Sequence, residues 1–169
     1  MSAGERRLGG VCLKVGDHVN TDILIPARYL TSIDPTELAE HAFEPMGPEF
    51  QERLRRSQVI VAGRNFGCGS AREQAATCLL GAGVQAVVAA SFSRVFFRNA
   101  INTGLLVVEC PEAVDAIQDG DELCVDVESG TVHAGARSFT FAPYPDSLRG
   151  IFDAGGLIPF LIENLVPGR

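Results

Sequence analysis

The hydrophobic pattern alternates between short, unbroken apolar runs and amphipathic stretches punctuated by glycine and proline. Val59-Ile60-Val61-Ala62, Val84 to Ala90 and Leu105 to Glu109 are apolar with little alternation, the mark of strands covered on both faces. Val11 to Val15 is a further strand candidate. The polar, turn-like Asp17 to Asp22 leads into Ile23-Leu24-Ile25, which reads as a short strand closed by Pro26. Asp34-Pro35 opens a helix to about Phe43, with aspartate as cap and proline at its first position. Glu49 to Arg56 forms a short helix. Ser70 to about Leu80 forms another, stopped by Gly81 and Gly83, and Ser70 and Glu73 have capping-box spacing. Phe92 to Asn99 and Ala113 to Ile117 are helical. Asp121 to Ala142 switches to alternation, with turns at Glu128-Ser129-Gly130 and Ala134-Gly135-Ala136, an antiparallel meander. Ser147 to Leu165 is a helical tail broken at Gly155-Gly156. A strand, helix and strand within about thirty residues is a parallel crossover unit. The sum is an α/β domain with antiparallel strands appended, and 169 residues make one domain, 1–169.

Composition narrows the function. Apolar residues at 46% and charged residues at 21% exclude wholesale disorder. A net charge of −7 argues against nucleic-acid binding, which needs a cationic face. No apolar run is long enough to cross a bilayer, and MSAGERRLGG has no apolar stretch behind its arginines, so a cytoplasmic protein is expected. The five cysteines, Cys12, Cys68, Cys78, Cys110 and Cys124, are odd in number and contain no C-x-x-C pair. They predict neither a disulfide framework nor a metal site in this chain. Lys14 is the only lysine, and five of the arginines, Arg28, Arg64, Arg72, Arg94 and Arg98, fall in the segments that carry candidate chemistry.

The first such segment is Gly63-Arg64-Asn65-Phe66-Gly67-Cys68-Gly69, a glycine-rich loop between a buried strand and a helix. Unpaired N–H groups and the helix dipole make such a junction an anion site. Arg72 stands where a dinucleotide fingerprint needs its third glycine, and the following strand ends without an acidic residue. No lysine follows the glycines, which excludes a triphosphate loop. Cys68 and Arg72 occupy the flanking glycine places of a serine-hydrolase elbow. A carboxylate cradle survives, with the Ser70 hydroxyl at the helix mouth and Arg72 in the first turn. The same residues also fit a tight turn in which Ser70 only caps and Arg72 is solvated. The second segment, Ser91 to Asn99, sets Arg94 and Arg98 four apart on one helix face. The third joins Asn20-Thr21-Asp22 to Pro26-Ala27-Arg28-Tyr29. His18, His41 and His133 lack metal-ligand spacing.

Together and in this order, the three segments resemble the small subunit of the isopropylmalate dehydratase and homoaconitase family, the swivelling domain of aconitase-like hydro-lyases. The matching pieces are Asn20-Thr21-Asp22 through Leu30, Gly63 through Glu73 and Ser91 through Asn99. The resemblance implies a single three-layer swivelling domain, with a mostly parallel sheet between helices. It implies a large-subunit partner whose own three cysteines hold a [4Fe-4S] cluster, one iron of which acts as a Lewis acid. It assigns no metal ligand to this chain. The implied reaction removes and re-adds water on a hydroxy di- or tricarboxylic acid, and it needs both chains.

Ser70 would remove the proton beside a carboxylate, Arg72 would bind a substrate carboxylate, and Arg28, Gly69 and Ala71 would complete the substrate site. The family motif usually reads Gly-Ser-Ser-Arg-Glu, so Ala71 lacks one hydroxyl. Gln74 replaces a frequent histidine, and Thr31-Ser32 matches neither branch of the family in the loop bordering the variable part of the substrate. The resemblance points first to the interconversion of 3-isopropylmalate and 2-isopropylmalate in leucine biosynthesis. The alternatives are a homoaconitase-like or 2,3-dimethylmalate-like dehydratase subunit, a non-catalytic carboxylate-binding module, and a thiol enzyme using Cys68.

Overall fold

The computed structural model describes residues 7–165. Seven strands form one sheet: β1 (Arg7–Lys14), β2 (Val59–Ala62), β3 (Ala86–Ala89), β4 (Leu106–Glu109), β5 (Glu122–Asp126), β6 (Thr131–Ala134) and β7 (Arg137–Thr140). Their order is β4-β3-β2-β1-β5-β6-β7. The first four run parallel, with Cys12, Val59, Ala86 and Leu106 in one row across the sheet. The last three extend it as the expected antiparallel meander.

The unbroken apolar runs are explained by two cores. Leu13, Ile60, Val87 and Val107 point to one face. Cys12, Val59, Val61, Val88 and Leu106 point to the other. The first face is covered by α1 (Thr21–Leu24), α2 (Pro35–Glu40), α3 (Pro48–Arg55), α4 (Gln74–Gly81) and α5 (Arg94–Thr103). These helices contribute the buried Leu24, Leu38, Leu54, Leu79 and Phe96. The second face is closed by α6 (Pro111–Ala116) and by Leu123, Val125 and Val132, so the antiparallel wing curls back over the parallel strands. Phe152 of α7 (Asp146–Asp153) plugs that core, and α8 (Leu157–Leu165) follows the break at Gly155-Gly156. At the β4 edge, Tyr144 receives a hydrogen bond from the Val107 N–H at 3.1 Å and donates to the Val107 carbonyl. This side chain satisfies backbone groups that an edge strand would leave open.

Three local expectations are corrected. β1 starts four residues earlier than the apolar pattern suggests. Gly9 and Gly10 hide it, and Gly9 is there because a Cβ would lie 2.1 Å from the Leu123 carbonyl oxygen. Ile23-Leu24-Ile25 is not a strand. Asn20 caps a helical turn by accepting from the Ile23 N–H at 3.0 Å, and Leu24 and Ile25 enter the core. Nor does a helix start at Ser70. Glu73 holds the cap position of α4 without a side-chain cap bond, so Ser70 and Glu73 form no capping box.

Candidate active site

Parallel strands leave their following loops at one end of the sheet, where α/β domains bind ligands. Here that rim carries the glycine loop after β2 and Ser91 to Ser93 after β3. The polar segment after β1 folds against the same loop.

The inner half of the glycine loop is consumed by structure. The Arg64 N–H donates to Asp17 Oδ1 at 2.7 Å, Asn65 N–H to Ser91 Oγ at 2.8 Å, Phe66 N–H to the Ser91 carbonyl at 3.0 Å and Gly67 N–H to the Val19 carbonyl at 2.8 Å. The Arg64 backbone N–H, aided by its guanidinium, holds the Asp17 carboxyl below the usual carboxylate range. Gly67 has φ +77°, and a Cβ there would lie 2.2 Å from Phe96 Cγ. Phe96 stacks with Phe92 and meets Phe66 edge to face, so the loop rests on an aromatic floor.

The outer half is presented. Gly69, Ser70 and Ala71 are exposed. Among the described residues, neither their N–H groups nor the Ser70 hydroxyl finds a partner. Thr21 anchors this half from behind: its N–H donates to the Cys68 carbonyl at 2.9 Å and its hydroxyl to the Ser70 carbonyl at 3.0 Å. Thr21 is 2% exposed, so the anchor is part of the core rather than a surface contact.

Arg72 is not a solvated cation. Its side chain is 10% exposed, with Nη1 2.5 Å from Asp22 Oδ1 and donating to the Ile25 carbonyl at 3.2 Å. Nε and Nη2 have no partner among the described residues, yet neither is sealed from solvent. One corner of the guanidinium is fixed, and its other edge is open. That leaves an oriented edge for a carboxylate, which planar guanidinium binds through two parallel bonds. Because α4 begins at Gln74, Arg72 precedes the helix rather than occupying its first turn. Its orientation comes from Asp22 and Ile25.

Arg28 lies in the 3-10 turn Ala27–Tyr29 and is paired with Glu44. Glu44 also accepts from the Tyr29 hydroxyl at 2.7 Å and lies 2.8 Å from His41 Nδ1. The Tyr29 and His41 rings stack with centroids 3.6 Å apart. This cluster ties Arg28 to the segment that follows α2 and makes no hydrogen bond to the glycine loop. Gln74 Nε2 donates to the Leu30 carbonyl at 3.2 Å, which joins the Arg28 turn to the start of α4. Arg94 and Arg98 are exposed on α5. The structure thus brings Asn20-Thr21-Asp22 to Ser70 and Arg72, and holds Arg28 through a separate network.

Three roles were missed in the sequence: Thr21 as loop anchor, Asp22 as the arginine's counter-ion and Glu44 as the acceptor for Arg28. Asp22 is fifty residues from Arg72 in the chain, and only the β1–β2 crossover reveals the pair. Burial pushes the thiols of Cys12, Cys110 and Cys78 upward, the last to about 12. Cys68 is half-buried, and among the described residues no histidine or carboxylate hydrogen-bonds its sulfur. Among the described residues no group of three or more His, Cys, Asp or Glu could hold a metal ion, and no helix is long and apolar enough to cross a membrane.

The open rim of this α/β domain presents a serine, loop amides without a partner among the described residues and a half-anchored guanidinium, an arrangement that can bind a carboxylate. Comparison with known proteins names its kind. Residues 21–113 match the family described as the aconitase C-terminal domain. The 3-isopropylmalate dehydratase small subunit of Caldicellulosiruptor saccharolyticus is 47% identical over 158 residues, covering 92% of this chain and 91% of that one. The small subunit of the same name from Moorella thermoacetica is also 47% identical, covering 92% and 95%. The crystal structure of 3-isopropylmalate dehydratase (leuD) from Methanocaldococcus jannaschii superposes with a TM-score of 0.87 at 38% identity, covering 94% of this chain and 95% of that one. The chain belongs to the aconitase C-terminal-domain family, among the small subunits of the 3-isopropylmalate dehydratase type.

Proposed function

We propose that this chain is the small subunit of a heteromeric hydro-lyase that interconverts 3-isopropylmalate and 2-isopropylmalate by dehydration and rehydration. The names of relatives that align over nearly the whole chain support the reaction and the existence of a large partner. The observation that carries the residue roles is the pairing, two positions apart, of an unbonded serine hydroxyl with an arginine whose free edge is held in place.

Arg72 binds a substrate carboxylate with Nε and Nη2, while Asp22 and Ile25 fix Nη1. Ser70 takes the proton from the carbon beside that carboxylate. A serine hydroxyl is a very weak base, so its alkoxide needs preorganised donors. The free N–H groups of Gly69 and Ala71 and the guanidinium supply them. Ala71 has no hydroxyl, so its share is its backbone amide alone. Arg28, held by Glu44, borders the substrate from the α2 side.

The resemblance places the [4Fe-4S] cluster on the large subunit, and the cysteines of this chain offer no set of ligands for it. Cys12, Cys78 and Cys110 are buried thiols with raised proton affinity, and no third ligand joins any pair among the described residues. The large subunit holds the cluster, and no step here runs through it. The chain works as one domain, 1–169, in the cytoplasm. Co-expression with the large subunit under anoxic conditions tests the proposal by the ultraviolet absorbance of the unsaturated diacid. Turnover that requires both chains supports it; turnover by this chain alone overturns it.

A further inference from the structure

Two arginines on the site's rim have no work in the chemistry above. Arg94 and Arg98 lie one turn apart on the exposed side of α5, and Val95 beside them is 45% exposed. Pairing is the rule elsewhere: every described arginine from Arg7 to Arg72 lies within ion-pair distance of a carboxylate, and so does Arg137. Among the described residues Arg94 and Arg98 have no carboxylate within that distance, in a chain of net charge −7. Their one shared exception among the described residues is Arg149, on α7. The sequence of α5 contains no acidic residue. Glu109, which reaches the segment just before α5, accepts from the Phe92 N–H at 3.3 Å.

Both arginines carry a local cost. Like charges four apart on a helix repel. Arg94 is also the first residue of a helix capped by Ser93, where the dipole disfavours a cation. An acidic chain that leaves two such charges unpaired on one face presents them to something outside itself.

Their position says what that is. The N-terminus of α5 is bonded to the glycine loop: Ser93 N–H donates to the Phe66 carbonyl at 2.9 Å, and Phe96 lies under Gly67. The exposed side of α5 is therefore continuous with the rim that must meet the large subunit if the two chains share a site. It is the outward side of a helix with an apolar residue between the charges, not a concavity. A small diacid would bury nothing there, whereas a protein surface covers Val95 and neutralises both arginines.

We propose that the Arg94–Val95–Arg98 face of α5 docks an acidic face of the cluster-bearing large subunit at the border of the shared site. This rests on the two-chain reading above. The test titrates the full-length chain anoxically into its large subunit and follows complex formation by sedimentation, with turnover measured at saturation. Arg94→Glu with Arg98→Glu raises the Kd about tenfold or more at low salt. The difference narrows at high salt, and kcat at saturation stays at the wild-type value. Arg94→Gln with Arg98→Gln, which preserves side-chain bulk without reversing charge, gives a smaller rise, and the double lysine variant binds nearly normally. Ser70→Ala binds as the wild type does.

An unchanged Kd for the double glutamate and double glutamine variants at low salt overturns the docking face. So does a kcat lost at saturation with Kd unchanged, which would place the arginines on the substrate. A wild-type chain that does not bind the large subunit overturns the two-chain reading, and the docking face with it.

Discussion

Asp22 and Arg72 meet at 2.5 Å across fifty residues of chain, and the two partners are unlike: the aspartate side chain is 67% exposed and the arginine 10%. The asymmetry assigns their roles. A mostly buried guanidinium needs a counter-ion and a carbonyl to stay where it is, while the exposed carboxylate gains little for itself. Asp22→Asn therefore lowers stability by about 1–3 kcal/mol, because the mostly buried guanidinium loses its counter-ion. It loosens the Arg72 edge and raises KM about tenfold, with a smaller change in kcat. Steady-state kinetics of the assembled enzyme check this, and an unchanged KM would remove Asp22 from substrate positioning.

Arg72→Lys keeps the charge and loses the planar fork. One ammonium cannot hold Asp22 and the Ile25 carbonyl while gripping a carboxylate with two further donors. The expected loss in kcat/KM is on the order of a hundredfold, because a bidentate charged contact is replaced by a single point charge. Near-normal kcat/KM in the lysine variant would mean that position 72 supplies charge alone.

Ser70→Ala should not touch stability. A serine that caps a helix costs about 1 kcal/mol when replaced by alanine. Here α4 starts at Gln74 with Glu73 at its cap, and the Ser70 hydroxyl bonds no other group among the described residues. Thermal unfolding of the isolated chain should match the wild type. A drop of several degrees would restore the capping role that the structure removes.

Gly67→Ala acts the other way. Its φ of +77° and the Phe96 ring 2.2 Å from a would-be Cβ make the substitution strained and overpacked at once. A destabilisation of about 2–4 kcal/mol is expected from those two causes together. Phe96→Leu with Gly67→Ala should recover part of it. Denaturant titration of the single and double variants measures both.

Cysteine labelling reports the fold independently. Cys68 and Cys124 are half-buried, whereas Cys12, Cys78 and Cys110 are buried. Desolvation raises the Cys78 thiol to about 12, so its thiolate is scarce in the folded chain at any ordinary pH. Alkylation near pH 8 should modify Cys68 and Cys124 first and leave Cys78 intact until unfolding. The folded value lies above that of an exposed thiol. The stability linked to a protonated Cys78 is therefore fully present below the unfolded thiol's range and is lost as pH rises through that range toward 12. Rapid labelling of Cys78 in the native chain would contradict its burial.

The parallel strands and the antiparallel meander were legible in the sequence because burial on two faces and burial on one leave different patterns, unbroken in Val59–Ala62 and alternating after Asp121. The extent of β1 was not, since Gly9 and Gly10 carry no apolar signal and are required by the close approach of Leu123. Ile23-Leu24-Ile25 looked extended because three apolar residues cannot distinguish periods of two and 3.6. The Asn20 cap decides it for helix. At the site, the glycine loop points to the serine and arginine, but the expected place of Arg72 in the first helical turn is not where it lies, since α4 begins at Gln74. Ser70 and Glu73 have the spacing of a cap without its geometry, and the partners that hold Arg72 come from another crossover. Pairs such as Asp22–Arg72 and Arg28–Glu44 depend on how helices fall against the sheet, which local spacing does not encode.

In the proposed mechanism the Ser70 hydroxyl moves the substrate's carbon-bound proton while Arg72 holds the neighbouring carboxylate. Exchange of that proton with solvent deuterium, followed by proton NMR in the assembled complex, reads this transfer itself. The Ser70→Ala complex should form with wild-type affinity, retain substrate binding and lose exchange by about a thousandfold, the scale of a missing general base. Exchange at the wild-type rate in that complex would mean that another group moves the proton.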